Sequence, residues 1–414
     1  NQIVELLATF RERSSATTWG WHSEVTLHHP FEYSLTPVES FPLREDQSIA
    51  MVHPMLASLN LPGEATFQLR VKNWLEHEQV VTLAAEGADL SMTPASAQLV
   101  LPAQGEATVE LRAAPAKGSG LYRFEIRLHA GPYRVNERVG LAAVREGEAL
   151  AYSFDYDRDG FDDVLMENRT VRCFVSPGAG GRSFALVLKG SNTNAFNSVG
   201  GMRDSFTTRF EPDDMKEVAE WTRVNWLGLY NRPYSFRIVT AAGEQSEARF
   251  EYDAPDIYPK GVSLERTLTL RGHQNVVLMT TRVTPRGIEK PQAYVLENSV
   301  SFRSFDNPNY NQWFAPGHPR EDFVPQRKID LGVRAGYFGT VNKQSGETFA
   351  LMMLTPAERS QLVVENHSAL IRSIYPAFTE KNQTYTYSVG YYLGKESPEE
   401  IEKRFTQLKA AKHD

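Results

Sequence analysis

The stretch "DYDRDGFDDVLMEN", Asp155 to Asn168, holds five aspartates in its first nine positions. So much like charge repels itself unless a cation neutralises it. Asp155, Asp157 and Asp159 alternate, Gly160 follows at the sixth position, and Asp163 stands at the ninth. On a tight loop, alternate carboxylates turn inward, and a hard cation needs six to eight oxygens at short range. Glycine at the sixth position permits the sharp turn, and the carbonyl of Phe161 falls at the seventh. The expected ligands of one structural calcium are therefore Asp155, Asp157, Asp159, Phe161 through its carbonyl, and Asp163. An EF-hand would need glutamate at position twelve, where Met166 stands, and flanking helices, where "LAYSF" and "VLMEN" read as strands. The competing reading is an acidic solvated turn favoured by Asp-Gly.

Acid–base chemistry finds few candidates. His273 in "LRGHQN", His318 in "FAPGHPRED" and His367 after "VVEN" each read as turn or loop residues. Glu297 in "VLENSV" is the best candidate base, although a strand glutamate paired with an arginine explains it as well. "FEPDDMKEVAEW" gathers Glu211, Asp213, Asp214, Glu217 and Glu220 on what reads as a solvated helical face. No H-E-x-x-H, G-x-S-x-G, P-loop or C-x-x-C motif is present. No catalytic residue is assigned.

Two segments instead carry side chains suited to sugars, which offer apolar C–H faces and rings of hydroxyls. "EWTRVNWLGLYNRPYSF" contains Trp221, Trp226, Tyr230 and Tyr234 among arginines and asparagines. "SFDNPNYNQWFAPGHPRED" contains Asn309, Tyr310, Asn311, Trp313 and Arg320. The expected ligand contacts are Trp313, Tyr310, Asn309, Asn311, Arg320, Trp226 and Tyr230, with Trp313 at a loop tip. Core packing is the alternative for Trp221 and Trp226, and a plain ordered loop for the second segment.

The elements that must position these residues are mostly strands. Residues 1–55 open with a helical pattern (Ile3, Leu6, Leu7 and Phe10 on one face) and then give no fold. From "LPGEATFQLRVKNW" onward the pattern alternates with period two, and short strands separated by Pro/Gly turns make residues 56–147 a small β-sandwich. Residues 148–414 continue in longer strands and end in a helix, where Ser397, Pro398 and Glu400 form a capping box.

The chain's 414 residues exceed one ordinary domain, and 41% hydrophobic residues suffice for packed cores. A net charge of −7 gives no reason to expect nucleic acid or an anionic membrane as partner. The single cysteine, Cys173, rules out a disulfide framework, and no apolar run is long enough for a membrane-spanning helix. The chain opens at Asn1 without an initiator methionine, so a processed product is expected, with a catalytic domain or partner enzyme upstream.

Residues 59–145, with "PGE…V.L" and "G-L-Y-R-F-E-I", resemble the Ig-like NEW3-type modules that accompany bacterial carbohydrate-active enzymes. That resemblance implies a spacer or support. The aspartate loop resembles the calcium loops of FG-GAP-type extracellular β proteins. "LMENRTVRCFVSPGAGGRSFALVLKG", "VSLERTLTLRGHQNVVLMTTRVTP" and "RSIYPAFTEKNQTYTYSVGYYLG" occur in the order found in galactose mutarotase-like β-supersandwiches, which residues 150–395 resemble. The fold expected is mainly β, an Ig-like sandwich followed by a mutarotase-like supersandwich, with short helices at both termini. Mutarotase-type epimerases need a histidine acid in an "N-H-x-Y-F-N-L"-like strand, and nothing here matches it. The expected function is a glycan-binding or accessory protein of a secreted, periplasmic or cell-surface polysaccharide system. The alternatives are a glycoside hydrolase or epimerase acting on the concave face, and a structural surface-assembly protein.

Overall fold

The computed structural model describes residues 50–131, 133–156, 160–178, 180–195, 202–208, 233–254, 262–285, 294–303, 311–322, 324, 327–332, 336–357, 359–364, 368–374 and 382–411. The helices expected over 1–15 and 210–221 lie outside them. Within them the chain is mainly β, with one helix near the C-terminus.

The first nine strands are β1 (Ala50–His53), β2 (Leu56–Asn60), β3 (Ala65–Lys72), β4 (Gln79–Gly87), β5 (Leu90–Thr93), β6 (Ser96–Leu101), β7 (Glu106–Pro115), β8 (Gly120–Ala130) and β9 (Tyr133–Val144). They form two sheets, ordered β1-β3-β7-β5 and β2-β9-β8-β4-β6. Along β3, "ATFQLRVK", every second side chain is buried, as the period of two dictates. Phe67, Leu69 and Val71 meet Leu83, Phe124 and Ile126 in one core between the sheets. The strand pairing begins earlier than the expected boundary at 56, because β1 already pairs with β3, Ala50 opposite Val71.

β9 changes character along its length. Its first half alternates, but its last six residues are all buried. Val139, Leu141 and Ala143 face the first core, while Ala142 and Val144 face a second one behind it. That second core is closed by β10 (Ala149–Phe154), β11 (Asp163–Glu167), β12 (Val171–Ser176) and β13 (Arg182–Leu188), with β14 (Thr193–Asn194) paired to β13 at the edge. These strands lie in the order β14-β13-β12-β11-β10, with Ala242–Gly243 at the far edge. A sheet covered on both faces reads as continuous apolar runs. One face presents Leu150, Tyr152, Leu165 and Phe174 to the junction, and the other presents Ala151, Val164, Cys173 and Leu186 to a third core.

The third core is shared with a nine-stranded sheet whose centre is Val262–Arg271, Val276–Pro285, Tyr385–Gly394 and Thr348–Met353, in that order. The hairpin 262–285 agrees with the sequence reading, and His273 is exposed in its turn. The last strand, Tyr385–Gly394, inserts between earlier ones rather than ending the sheet. A further five-stranded sheet contains Tyr294–Arg303, and with it the backbone of Glu297. Helix α1 (Pro398–Ala411) packs Ile401 against the outer face of the nine-stranded sheet. Its capping box forms as expected: Ser397 N–H donates to Glu400 Oε2 at 2.7 Å, and Glu400 N–H to Ser397 Oγ at 3.3 Å. Among the described residues no helix is long and apolar enough to cross a membrane, which leaves strand-built spans untouched.

Candidate functional site at the junction of the sandwiches

The aspartate loop connects β10 to β11. Asp155 and Asp163 flank it, and Asp157 and Asp159 lie outside the described residues. Gly160 takes φ +91°, the conformation the sharp turn requires, and its N–H donates to Asp155 Oδ2 at 3.1 Å. Asp155 Oδ1 is buried without a hydrogen-bond partner. An acceptor-only oxygen in that condition suits a cation, so the fit to calcium is favourable at this residue. Asp163 is 6% exposed at the start of β11, whereas the Phe161 side chain is 75% exposed and leaves only its carbonyl for a ligand. No group of three metal-binding side chains occurs among the described residues.

The second residue of that loop, Tyr156, leaves it toward the junction. Its ring meets Phe174 edge-on with centroids 5.0 Å apart, and Phe174 in turn packs on Phe184 at 5.7 Å. This aromatic wall bounds a cavity of about 480 Å³ between β2 of the first sandwich and the face of β12 and β13. Asn60, Asn192 and Asn194 supply amides to the lining, and Arg169, Arg172 and Lys189 supply cations. Among the described residues no carboxylate lines it.

Beneath the cavity lies Glu167, fully buried. Its position follows from strand parity: Leu165 and Glu167 share the junction face of β11, and Arg172 stands directly opposite on β12. Arg172 Nη2 donates to Oε1 at 3.1 Å, and the Tyr152 hydroxyl donates to the same oxygen at 2.7 Å. Lys189 Nζ lies 3.0 Å from Oε2, which also accepts from the Ser58 hydroxyl of β2. Burial alone would raise the Glu167 carboxyl, but the two cations and two hydroxyls outweigh it and hold the group at about 2. Burial lowers Lys189, assisted by repulsion from Arg172 and Arg169 and opposed by Glu167. Burial would also lower Arg172, yet Glu167 reverses the sign and raises it.

The network ties the two sandwiches together. Ser58 reaches Glu167 from the first, and Lys189 Nζ returns from the second to Asn60 Oδ1 at 3.0 Å. The same ammonium donates to the Asn168 carbonyl at 2.8 Å. Asn168 is itself fully used: its amide donates to the carbonyls of Arg271 and Gln274, and its oxygen accepts from the N–H groups of Thr170 and Val171.

The residues expected to touch ligand do not gather in this way. Trp313 is 1% exposed in the strand Asn311–Ala315, and its ring stacks on Phe338 at 6.2 Å. The expectation of a loop-tip tryptophan is corrected. Ala315-Pro316-Gly317-His318 makes a tight hairpin, with Gly317 at φ +76°, and the strand it creates turns Trp313 inward. Arg320 is exposed on the edge strand His318–Asp322, in a different sheet from the aromatic wall. Only the backbone of Asn311 is described, paired with Asn342. Asn309, Tyr310, Trp226 and Tyr230 lie outside the described residues. Tyr234 is buried and stacks on Tyr252 at 4.9 Å, which makes it a core residue. His318 is partly exposed, with Nδ1 3.5 Å from Glu321, and His367 is outside the described residues. Cys173 is buried against Ser183, and burial pushes its thiol up to about 12.

The sequence held one signal for the junction site that its motifs did not express. Glu167, Arg172 and Lys189 are charged residues in or beside otherwise apolar strands, where charge is retained only with partners.

No protein-family model and no curated protein matches the sequence. Among solved structures, the chain is similar to a TPR-domain containing protein from Parabacteroides distasonis, at 10% identity over 65% of this chain and 49% of that one, with a TM-score of 0.40. It is similar to a galactose mutarotase-like protein from Clostridium acetobutylicum at 10% identity, over 57% of this chain and 96% of that one, with a TM-score of 0.44. For an alpha-N-acetylgalactosaminidase from Bifidobacterium bifidum the identity is 10%, the coverage 60% and 39%, and the TM-score 0.42. The chain thus spans about half the length of the first of these proteins. Likeness this loose decides neither family nor activity.

Proposed function

We propose that this protein binds glycans as an accessory component of an extracytoplasmic polysaccharide-processing system, and that the junction cavity is where it does so. The carrying observation is the pairing of an aromatic wall, Tyr156 on Phe174, with Asn192 and the cations Arg169 and Arg172 across a cavity of about 480 Å³; Asn60 and Asn194 also line it but already bond Arg169, Lys189 and Leu186. A flat ring meets the C–H face of a sugar, and amides meet its hydroxyls. The cavity suits holding rather than turnover. Glu167, the carboxylate buried beneath it, has both oxygens engaged by four donors and stays ionised near neutrality.

In this reading the first sandwich is an Ig-like support and residues 148–414 are a mutarotase-like supersandwich, as the ordered sequence motifs suggest. The loop 155–163 takes a structural calcium, for which Asp155 Oδ1 is the supporting observation. Extracellular calcium levels match such sites. The ion would fix Tyr156, which lies between two of its proposed ligands.

The test is a panel of oligosaccharides titrated against the protein and against Tyr156→Ala, with reducing-end release and anomer conversion assayed on every binder. Binding that falls about tenfold in the variant, an estimate for one lost ring contact, with melting unchanged and no turnover, supports the proposal. Turnover of a bound sugar moves the protein to the enzymes, and absence of binding across the panel refutes the reading.

A further inference from the structure

We infer that the sugar held at the junction is an acidic one, with its carboxylate gripped by Arg172 and Arg169; this rests on the glycan-binding reading above. The described residues of the lining include three cations and no carboxylate, in a chain whose net charge is −7. Random placement would favour the opposite sign. The three cations are not equally committed. Lys189 spends its ammonium on Glu167, Asn60 and the Asn168 carbonyl. Arg172 gives Nη2 to Glu167, while its Nε is buried with no partner. A guanidinium has five N–H donors in a planar fork, and a carboxylate is the acceptor whose geometry matches two of them at once. Among the described residues the Arg169 guanidinium pairs with Glu146, 3.2 Å away across an exposed pair with 39% and 89% of the side chains accessible. Such a pair is readily exchanged for a better-placed anion.

The cations also strain against one another. Lys189 is repelled by both Arg172 and Arg169, and Glu167 offsets one charge of the three. An incoming carboxylate relieves that excess. Its size argues for a sugar acid over a bare inorganic anion. A small ion leaves most of the cavity and the whole Tyr156–Phe174 wall unused, whereas a uronate ring lays its face on the wall and its carboxylate on the guanidinium. Arg172 already lies over the Phe174 ring at 5.8 Å, which places the fork beside the surface on which the ring would stack.

The experiment is calorimetric titration of the full chain with oligomers of galacturonate, of mannuronate and of a glucuronate-containing glycosaminoglycan. Each is paired with its carboxyl-reduced neutral form, and sodium sulfate is titrated separately. At least one acid is expected to bind roughly tenfold or more tightly than its reduced form, with the advantage shrinking as salt rises. Arg169→Gln, a surface change that leaves the Glu167 network intact, should cut that advantage several-fold, weakening the acid more than its reduced form. Tyr156→Ala should weaken acid and reduced form alike. Equal affinity for acid and reduced forms overturns the inference while leaving glycan binding in place. Sulfate binding as tightly as the best uronate overturns it in favour of a bare anion site. Binding of no member of any pair overturns both readings.

Discussion

Glu167→Gln is the substitution that most directly interrogates the junction. The glutamine keeps the volume and one acceptor oxygen, but it removes the charge that compensates Arg172 and Lys189 and points an NH₂ group at donors. Two routes give the size of the loss. The carboxyl falls from its ordinary 4.5 to about 2. That difference is worth roughly 3 kcal/mol at about 1.4 kcal/mol per unit. Removing one member of a buried, hydrogen-bonded ion pair costs about 3–5 kcal/mol because the partners are left uncompensated. The expected destabilisation at neutral pH is therefore about 3 kcal/mol. The sign with pH follows from the depressed value. The Glu167 contribution is complete above the unfolded-state value of 4.5 and is lost as pH falls through about 2. Urea unfolding of both proteins at a series of pH values between 2 and 7 measures it. The gap between them should be widest at neutral pH and close progressively below about pH 4.5. A neutral-pH loss under about 1 kcal/mol, or a gap independent of pH, would refute the assigned partners.

Three further outcomes are expected. Trp313→Ala should cost about 3–5 kcal/mol by leaving a core cavity, read as a large drop in melting temperature with glycan binding of the folded fraction unchanged. A chelator should lower the melting temperature if the loop holds calcium; at about 100 times the dissociation constant the ion contributes roughly 3 kcal/mol, and Asp155→Ala should abolish the difference. Gly140→Ala should cost about 1–3 kcal/mol in urea unfolding. Its Cβ would fall 2.8 Å from both Leu56 Cδ1 and Phe154 Cε2, side chains already locked in the junction core.

Much of the strand pattern was legible because period-two alternation is a direct image of one buried face, as in "ATFQLRVK". The hairpin 262–285 and the capped C-terminal helix were legible for the same local reasons. Trp313 was misjudged because composition suggested a binding loop, while a Pro-Gly turn at 316–317 made a strand and turned the ring inward. The junction site escaped for a different reason. Ser58 and Glu167 are 109 positions apart, and Asn60 and Lys189 are 129 apart. No motif spans such separations, and only the packing of β2 across β11 and β13 brings them together. Within the aspartate loop, spacing named Asp155, yet nothing local indicated that its neighbour Tyr156 would turn away to form a wall elsewhere.

The doubly buried half of β9 bears on how this chain can be taken apart. A support module joined by a linker can be cut off, swapped or duplicated, because each piece keeps its own covered surface. Here Leu56, Ala142 and Val144 belong to the same core as Tyr152, Leu165 and Phe174. Truncation near Glu146 would therefore leave two raw apolar faces, one on each fragment, and such faces drive aggregation. The boundary that composition draws between the sandwiches is not one at which the molecule can be divided. Any relative that exchanged its first sandwich would have to exchange the junction face of β10 to β13 with it, so the two would be inherited together and would melt together.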